Sequence, residues 1–512
     1  MWPRQVPEKS LPKPIRDMPE ALVSDTRTSR AVSKAVAARQ LRKLAPKLYT
    51  RNLVEDAQTI VRRNLWTIVG GYFPGALIAD RTALENRPAS DSSICLVSQG
   101  KQQDVRLPGL VLRPRKGHGP LESDRPYVGS LYLSSVARAY LENMRPTRSR
   151  KGLVRRTLPR SEIEERLDTL IRRGGEQEAR KLRDEARAIA AALGSKEEFA
   201  ELDALIGTLL GTREAELSAP AAVARSHGRP YDPDRLALFD ELHRALRAYP
   251  PVSRPTPKRR TEGRATLAFF ESYFSNFIEG TEFGVEEAAD IVFKGSIPRE
   301  RPKDAHDILG TWRIVSDPGE MSKTPTDSAS LIRLLQSRHA AMLSERPEVN
   351  PGRFKTKSNR FGTTLFVEPE LVVGTLEQGL QFCKSLEAPF QRAVYMMFLV
   401  SEVHPFTDGN GRIARIVMNA ELAAAGEERI IIPTVYRSNY LAALRALSQN
   451  RITEPLIRTL DFAQRWTATV TWSLLEPTTR ELEACNAFLQ PDVAEQEAKR
   501  LLLPSTALSN GR

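Results

Sequence analysis

Twelve consecutive residues carry most of the chemistry open to this chain: His404-Pro405-Phe406-Thr407-Asp408-Gly409-Asn410-Gly411-Arg412-Ile413-Ala414-Arg415. An imidazole titrates near neutrality and is the usual group for taking a proton from a hydroxyl, so His404 is a candidate general base. Asp408 is a hard oxygen ligand suited to a magnesium ion that also touches phosphates. Gly409 and Gly411 allow backbone conformations closed to other residues and let phosphate oxygens approach the main chain. Arg412 and Arg415 lie about one helical turn apart and can fork onto those oxygens. Each residue alone reads as well as an ordinary turn or packing residue. The whole string is far less degenerate, and describes a phosphate site with a base attached.

Four further segments would position it. Ala388 to Val403 is near-continuously apolar, with Phe390, Val394, Met397 and Phe398, which predicts a buried helix. Pro405 disfavours helical geometry at His404, so that helix should end there and leave the imidazole at a loop entrance. A second helix is predicted from Asn410-Gly411 through Ile413, Ile416, Val417 and Leu422 to near Gly426, its free N–H groups facing the turn. Upstream, Phe270, Tyr273, Phe274 and Phe277 recur at helical spacing and predict an amphipathic helix ended by Gly280, with Glu279 at its terminus. From Phe354 to Val367, polar residues followed by the β-prone Thr363 to Val367 give a hairpin signal.

The twelve-residue string resembles, position for position, the signature His-x-Phe-x-(Asp/Glu)-Gly-Asn-Gly-Arg-x-x-Arg of the Fic (Fido) family, whose members typically transfer AMP from ATP to a protein hydroxyl. The resemblance implies His404 as the base, Phe406 as the buried anchor of the loop and Asp408 as the Mg2+ ligand, with Mn2+ as an alternative ion. It implies Gly409, Asn410 and Gly411 as the anion cradle, Arg412 and Arg415 as triphosphate clamps, and ATP as substrate. Ser275-x-x-x-Glu279-Gly280 resembles the Ser/Thr-x-x-x-Glu-(Gly/Asn) inhibitory motif found N-terminal to many Fic cores, which implies a Glu279–Arg415 pair obstructing the γ-phosphate. The hairpin segment sits where the family carries a flap that pairs with a target protein, implying Lys357, Asn359, Arg360 and Phe361 as target contacts. Tyr440 falls where the family often has an adenosine-contacting tyrosine. The unmodified Gly-Asn-Gly cradle favours AMP transfer over the kinase-like transfer of relatives that depart from it. Removal of AMP, with Glu279 aligning a water, is a further option.

At 512 residues the chain has room for two or three domains, and 41% hydrophobic residues is normal for globular cores. Its three cysteines are widely spaced, which argues against a disulfide frame or structural zinc, and its six histidines show no paired ligand spacing. No apolar run reaches spanning length and the N-terminus lacks a signal-peptide core, so a soluble, cytoplasmic protein with no membrane partner is expected. The net charge of +13 is by itself weak support for a nucleic-acid partner.

Residues 1–26 are polar and Pro-rich and read as a disordered tail. Basic side chains then crowd at Arg27, Arg30, Lys34, Arg39, Arg42, Lys43 and Lys47, over a short helix with an apolar face and a hairpin interrupted by Pro46. Helix followed by basic hairpin is winged-helix anatomy. With the segments after it, this region resembles AbiEi-type antitoxin and transcriptional-regulator domains, which implies those seven side chains as DNA contacts. Glu162 to Glu216 is charged and helical, a spacer or a pair of dimerising helices, so a homodimer is a further expected state. The expected organisation is a tail at 1–26, the winged-helix and α/β region at 27–170, a helical connector and linker at 171–260, the Fic domain with its inhibitory helix at 261–475 and a C-terminal extension at 476–512. The expected fold is mainly α: an all-helical Fic core with a β-hairpin flap, preceded by an α/β region containing a winged helix. Two functions compete: an autoinhibited protein adenylyltransferase addressed by a DNA-binding domain, and a DNA-binding, antitoxin-like regulator whose Fic core senses nucleotide. An intact His404 favours the first.

Overall fold

The computed structural model describes residues 17–100, 102–149, 152–362 and 364–504. The chain divides after Gly228 into two units.

The first unit begins with strand β1 (Ala21–Val23), helix α1 (Ser29–Ala37) and the hairpin β2 (Arg42–Ala45) and β3 (Leu48–Thr50), whose sheet order is β1-β3-β2. Leu22, Val32, Ala35 and Leu41 close a small core beneath α1. The tail expected through residue 26 therefore stops sooner, because Ala21 and Leu22 have apolar neighbours to enter; residues 1–16 lie outside the described residues. Helices α2 (Ala57–Arg63) and α3 (Leu65–Tyr72) lead to β4 (Leu77–Ile78), α4 (Asp80–Glu85), β5 (Ser93–Val97), β6 (Val105–Leu107), β7 (Leu110–Arg115), β8 (Arg125–Pro126) and β9 (Tyr132–Leu133). These strands form one mixed sheet in the order β6-β7-β5-β4-β9-β8. Strand β5 is buried along its whole length and runs parallel to β7, which is why it reads as a continuous apolar run.

Four helices complete this unit: α5 (Val136–Met144), α6 (Arg160–Leu193), α7 (Lys196–Leu209) and α8 (Pro220–Ser226). Leu167, Ile171 and Leu182 of α6 are buried in one core with residues of α5, α7 and α8. The stretch expected as a spacer or dimerising pair thus spends its apolar stripe inside the first unit. The expected boundary at 171 falls within a single helix, which kinks only later, at Gly175 (φ 72).

The second unit is helical apart from one hairpin. Helix α9 (Pro233–Ala248) buries Leu238, Phe239, Leu242 and Leu246 in the main core, so the rest of the expected connector belongs here. There follow α10 (Thr261–Ile278), α11 (Val285–Lys294), α12 (Pro302–Val315), α13 (Pro318–Met321), α14 (Ser328–Met342), β10 (Arg360–Phe361), β11 (Thr364–Leu365), α15 (Val372–Cys383), α16 (Pro389–Val403) and α17 (Asn410–Ala424). Helices α18 (Arg437–Asn450), α19 (Glu454–Thr469), α20 (Leu475–Ala484) and α21 (Pro491–Gln496) close the unit. Helix α16 is apolar nearly all round and sits at the centre, packed on α17. Trp472, Leu482, Ala487, Ala494 and Leu501 share a core with Phe269, Phe270 and Phe274 of α10. The expected extension at 476–512 is therefore, as far as residue 504, a wall of the core around α10. No helix among the described residues is long and apolar enough to cross a membrane.

Candidate active site

Helix α16 ends at Val403, and His404 caps it just before Pro405. His404 is left-handed (φ 54, ψ 59) and turns the chain sharply into the 405–409 loop. Its Nδ1 lies 3.2 Å from the Ser401 carbonyl, which can only accept, so Nδ1 carries the proton and Nε2 keeps its lone pair. The ring stacks on Phe366, just past β11, with centroids 3.7 Å apart and planes 6° apart. Burial pushes the imidazole down to about 4; the Ser401 carbonyl opposes this and the Lys355 charge adds to it. His404 is thus neutral, and able to accept a proton, across the physiological range.

Phe406 is fully buried between His339 of α14, stacked at 3.8 Å, and Phe354, tilted at 5.2 Å. Asn410 accepts from the Phe406 N–H (2.8 Å) and donates to the Phe406 carbonyl (2.9 Å). The Asn359 amide donates to that same carbonyl (3.0 Å) and accepts from Lys355 Nζ (2.7 Å). Burial brings the Lys355 amine down to about 8. The side chains of two residues expected to meet ligands are therefore loop clamps: Asn410 of the cradle and Asn359 of the flap both turn inward.

Helix α17 starts from Gly409 (φ 74) with no side-chain cap and no acidic residue in its first turn. Its first N–H groups have no side-chain cap, and the carboxylate that approaches this turn is Glu279. A Cβ on Gly411 would fall 2.2 Å from Glu279 Oε1, so the carboxylate lies directly over the glycine backbone. Arg415 Nη2 donates to Glu279 Oε1 (2.7 Å) and to the Ser275 carbonyl (2.8 Å), and Arg415 Nε donates to Ser275 Oγ (3.0 Å). Gly280 (φ 92) follows and ends α10. The sequence reading paired Glu279 with Arg415, and the structure forms that contact, with Ser275 on the same guanidinium and Gly411 beneath the carboxylate.

Arg412 departs from expectation. It is 2% exposed, and its Nη1 donates to Asp307 Oδ2 (2.6 Å) and Asn276 Oδ1 (3.2 Å). Asp307, on α12, also accepts from Arg346 Nη2 (2.6 Å). The expected triphosphate clamp is a buried ion pair tying the motif helix to α12 and α10. Tyr440 of α18 is 1% exposed; its hydroxyl donates to Met397 Sδ (3.4 Å) and lies beside the Arg415 guanidinium.

Asp408 keeps a half-exposed carboxylate; Oδ1 accepts from the Gly409 N–H (2.7 Å) and Oδ2 lies 3.8 Å from Arg412 Nη2. One accessible carboxylate at an anion-binding turn is the donor set that Mg2+ takes when phosphate oxygens supply the remainder. No group of three His, Cys, Asp or Glu among the described residues forms a cage of its own. The residues fit an ion held jointly by Asp408 and a triphosphate.

The flap is a short antiparallel hairpin pairing Arg360 with Leu365 and Phe361 with Thr364; Lys357 and Arg360 are exposed. In the first unit Arg27, Arg30, Lys34, Arg39, Lys43 and Lys47 are exposed on α1, the hairpin and their flanking turns. Arg42 instead turns in and donates to the Glu55 carbonyl, so it is not available as a DNA contact.

Sequence reasoning missed Asp307, Asn276, Lys355 and His339. None has a local signature; Asn276, inside the inhibitory segment and next to Ser275, was the nearest to being found.

The Fic/DOC family model matches residues 330–422, from α14 through most of α17. Protein adenylyltransferase fic-1 of Caenorhabditis elegans is 26% identical over 198 residues, 37% of this chain and 38% of that protein. Protein adenylyltransferase Fic of Nematostella vectensis is 26% identical over 233 residues, 44% of this chain and 53% of that protein. The chain thus spans about half or less of the length of these relatives. A solved fragment of Fic-1 from C. elegans is similar with a TM-score of 0.35 and 19% identity, covering 60% of this chain and 84% of that one. Over residues 330–422 the chain is similar to the Fic/DOC family.

Proposed function

We propose that the chain is an autoinhibited protein adenylyltransferase that moves AMP from ATP to a Ser, Thr or Tyr hydroxyl of a target protein or of itself. The observation that carries this reading is the Glu279 carboxylate seated on Gly411 and Arg415, in the place an anionic phosphate would take. The adenylyltransferase names of the two relatives support the reaction class.

The target hydroxyl oxygen attacks the α-phosphorus, the bond from that phosphorus to the bridging oxygen of the β-phosphate breaks, and pyrophosphate leaves. The hydroxyl proton goes to Nε2 of His404, whose tautomer is set by Ser401. The Asn410 and Asn359 amides hold the Phe406 carbonyl, and so keep the loop from shifting against the base. Arg415 and the first turn of α17 take the distal phosphate once Glu279 withdraws. A divalent ion beside Asp408 would supply charge neutralisation on the phosphates. The exposed hairpin edge offers main-chain groups to an extended target segment without demanding much of its sequence.

Incubation with ATP labelled at the α-phosphate, Mg2+ and cell lysate tests this reading. Labelled protein should be weak with wild type, stronger with Glu279→Gly and absent with His404→Ala. Label unaffected by His404→Ala would sink the mechanism.

A second reading concerns the first unit: six exposed cations on one helix, the adjoining hairpin and their turns suit duplex phosphates, so the domain would address the enzyme to DNA. The competing class, a DNA-binding regulator whose Fic core only senses nucleotide, predicts that His404→Ala leaves every function of the protein intact.

A further inference from the structure

An anion-binding turn works only if its peptide planes face the right way, and one buried side chain sets the critical plane. His339 of α14 is 0% exposed and has two partners. The Gly352 N–H donates to its Nδ1 (2.9 Å), so that nitrogen carries no proton. Its Nε2 lies 3.0 Å from the Asp408 carbonyl, which can only accept, so Nε2 is the protonated nitrogen. One neutral tautomer satisfies both contacts, and stacking on Phe406 fixes the ring plane.

In a planar trans peptide the carbonyl and the following N–H point in opposite directions. With the Asp408 carbonyl held inward, the Gly409 N–H points outward, where Asp408 Oδ1 accepts it. Gly409 cannot hold this orientation itself, because glycine populates positive and negative φ about equally. Nor is another residue readily accepted: at φ 74 a Cβ is strained, and it would also displace the ends of Leu343 and Met342, 2.9 Å away. The end of α14 therefore both favours glycine at this position and supplies the side chain that removes its freedom. A flip of this plane would turn a carbonyl oxygen, with its partial negative charge, toward the phosphates.

We propose that His339 is a positioning residue for the nucleotide site: its Nε2–H holds the Asp408–Gly409 peptide carbonyl-inward, so that the turn keeps this carbonyl oxygen away from the triphosphate. The inference rests on reading this turn as a nucleotide site. The same ring bonds Gly352, where the chain leaves α14 for the flap, so it ties the flap stem to the loop as well.

The test uses the full chain with Glu279→Gly as parent, and adds His339→Phe or His339→Gln. Phenylalanine keeps the ring and its stack but loses both hydrogen bonds; glutamine restores a donor at the Nε2 position. Dissociation constants for Mg-ATP by calorimetry, KM and kcat for AMP transfer, and melting temperatures are measured together. His339→Phe should weaken Mg-ATP binding and raise KM by roughly tenfold. His339→Gln should recover most of that loss, even where both variants melt earlier than the parent. A purely structural role would lower both melting temperatures without separating the two in nucleotide affinity. Equal Mg-ATP affinity of parent and His339→Phe overturns the inference alone. A parent that binds no Mg-ATP overturns the reading of the site, and the inference with it. If His339→Phe does not fold, NMR of the parent with 15N-labelled histidine decides at neutral pH. An exchange-protected Nε2–H on a neutral ring is expected, and its absence refutes the assignment.

Discussion

Replacing Glu279 by glycine should raise AMP transfer about ten- to a hundredfold, and replacing Arg415 by alanine should not. The magnitude follows from what Glu279 holds. Its single charge-assisted bond to Arg415, at 2.7 Å, falls in the class worth about 1.5–3 kcal/mol, and each ~1.4 kcal/mol is a factor of ten. The carboxylate is 31% exposed, which argues for the lower half of that range. Losing it does not unmoor the guanidinium, because the Ser275 carbonyl and Oγ remain as acceptors. Arg415 would then stand ready for the distal phosphate, whereas Arg415→Ala breaks the same pair and discards the clamp. Transfer from α-labelled ATP is measured for wild type and both variants at limiting and saturating nucleotide. A gain confined to limiting ATP means that Glu279 acts by competing for the site; a gain at both means that it also spoils the bound geometry. Equal rates for wild type and Glu279→Gly would reduce Glu279 to an ordinary helix-terminal charge.

His404→Ala should lose transfer while its Mg-ATP affinity stays within about threefold of the parent, since no partner of Arg415 or of the α17 N-terminus is touched. The active form of His404 is the neutral one and burial holds it down to about 4, so the acid limb of kcat/KM should fall near pH 4 rather than near 6.5. Asp307→Ala removes the carboxylate shared by Arg412 and Arg346, and should destabilise the second unit by about 3–5 kcal/mol in denaturant titrations. A loss under 1 kcal/mol would contradict the buried pairing. If the six exposed cations of α1, the hairpin and their flanking turns all reach phosphates, the log–log salt slope of duplex binding by the full chain should approach about −5, and Arg30→Glu with Lys34→Glu should flatten it. Binding to every duplex that ignores salt would exclude that surface.

The active-site turn was legible because its determinants are local: proline after His404, glycines at 409 and 411, and apolar periodicity on both sides lie within one stretch. The position of Glu279, 136 residues from Arg415, came only through the resemblance of its segment to a known motif. What stayed hidden is pairing across distance. Asp307 is 105 residues from Arg412, and His339 is 69 from Asp408, and neither carries a local pattern. Arg412 accordingly looked like a phosphate ligand, since an arginine beside an anion turn does not reveal its carboxylate. The boundary near 171 failed for another reason: α6 is so rich in charge that its buried stripe of Leu167, Ile171 and Leu182 passed for part of a solvated spacer. Strands β4, β8 and β9 have two residues each, too few to show alternation.

If Glu279 inhibits as proposed, its release must be a local event, because the helix that carries it is also a core element. Phe269, Phe270 and Phe274 of α10 are at most 1% exposed and share a cluster with Trp472 and Phe488 of the C-terminal wall. Burying each ring is worth about 1.5–3 kcal/mol, so undocking α10 would cost several times the one hydrogen bond to be broken. Asn276, moreover, binds Arg412 from the same helix, and would have to leave with it. The cheaper motion lies at the helix end. Glu279 is the last residue before Gly280, whose φ of 92 suits glycine and whose Cα has open space around it. Unwinding that terminus, or turning the Glu279 side chain out, frees Arg415 and the α17 N-terminus while every aromatic contact stays in place. A partner that activates this chain should therefore act on residues around 279–281. Hydrogen exchange of the activated form should show loss of protection at this terminus with the body of α10 unchanged; exchange spreading through Phe269–Phe274 would refute the local model.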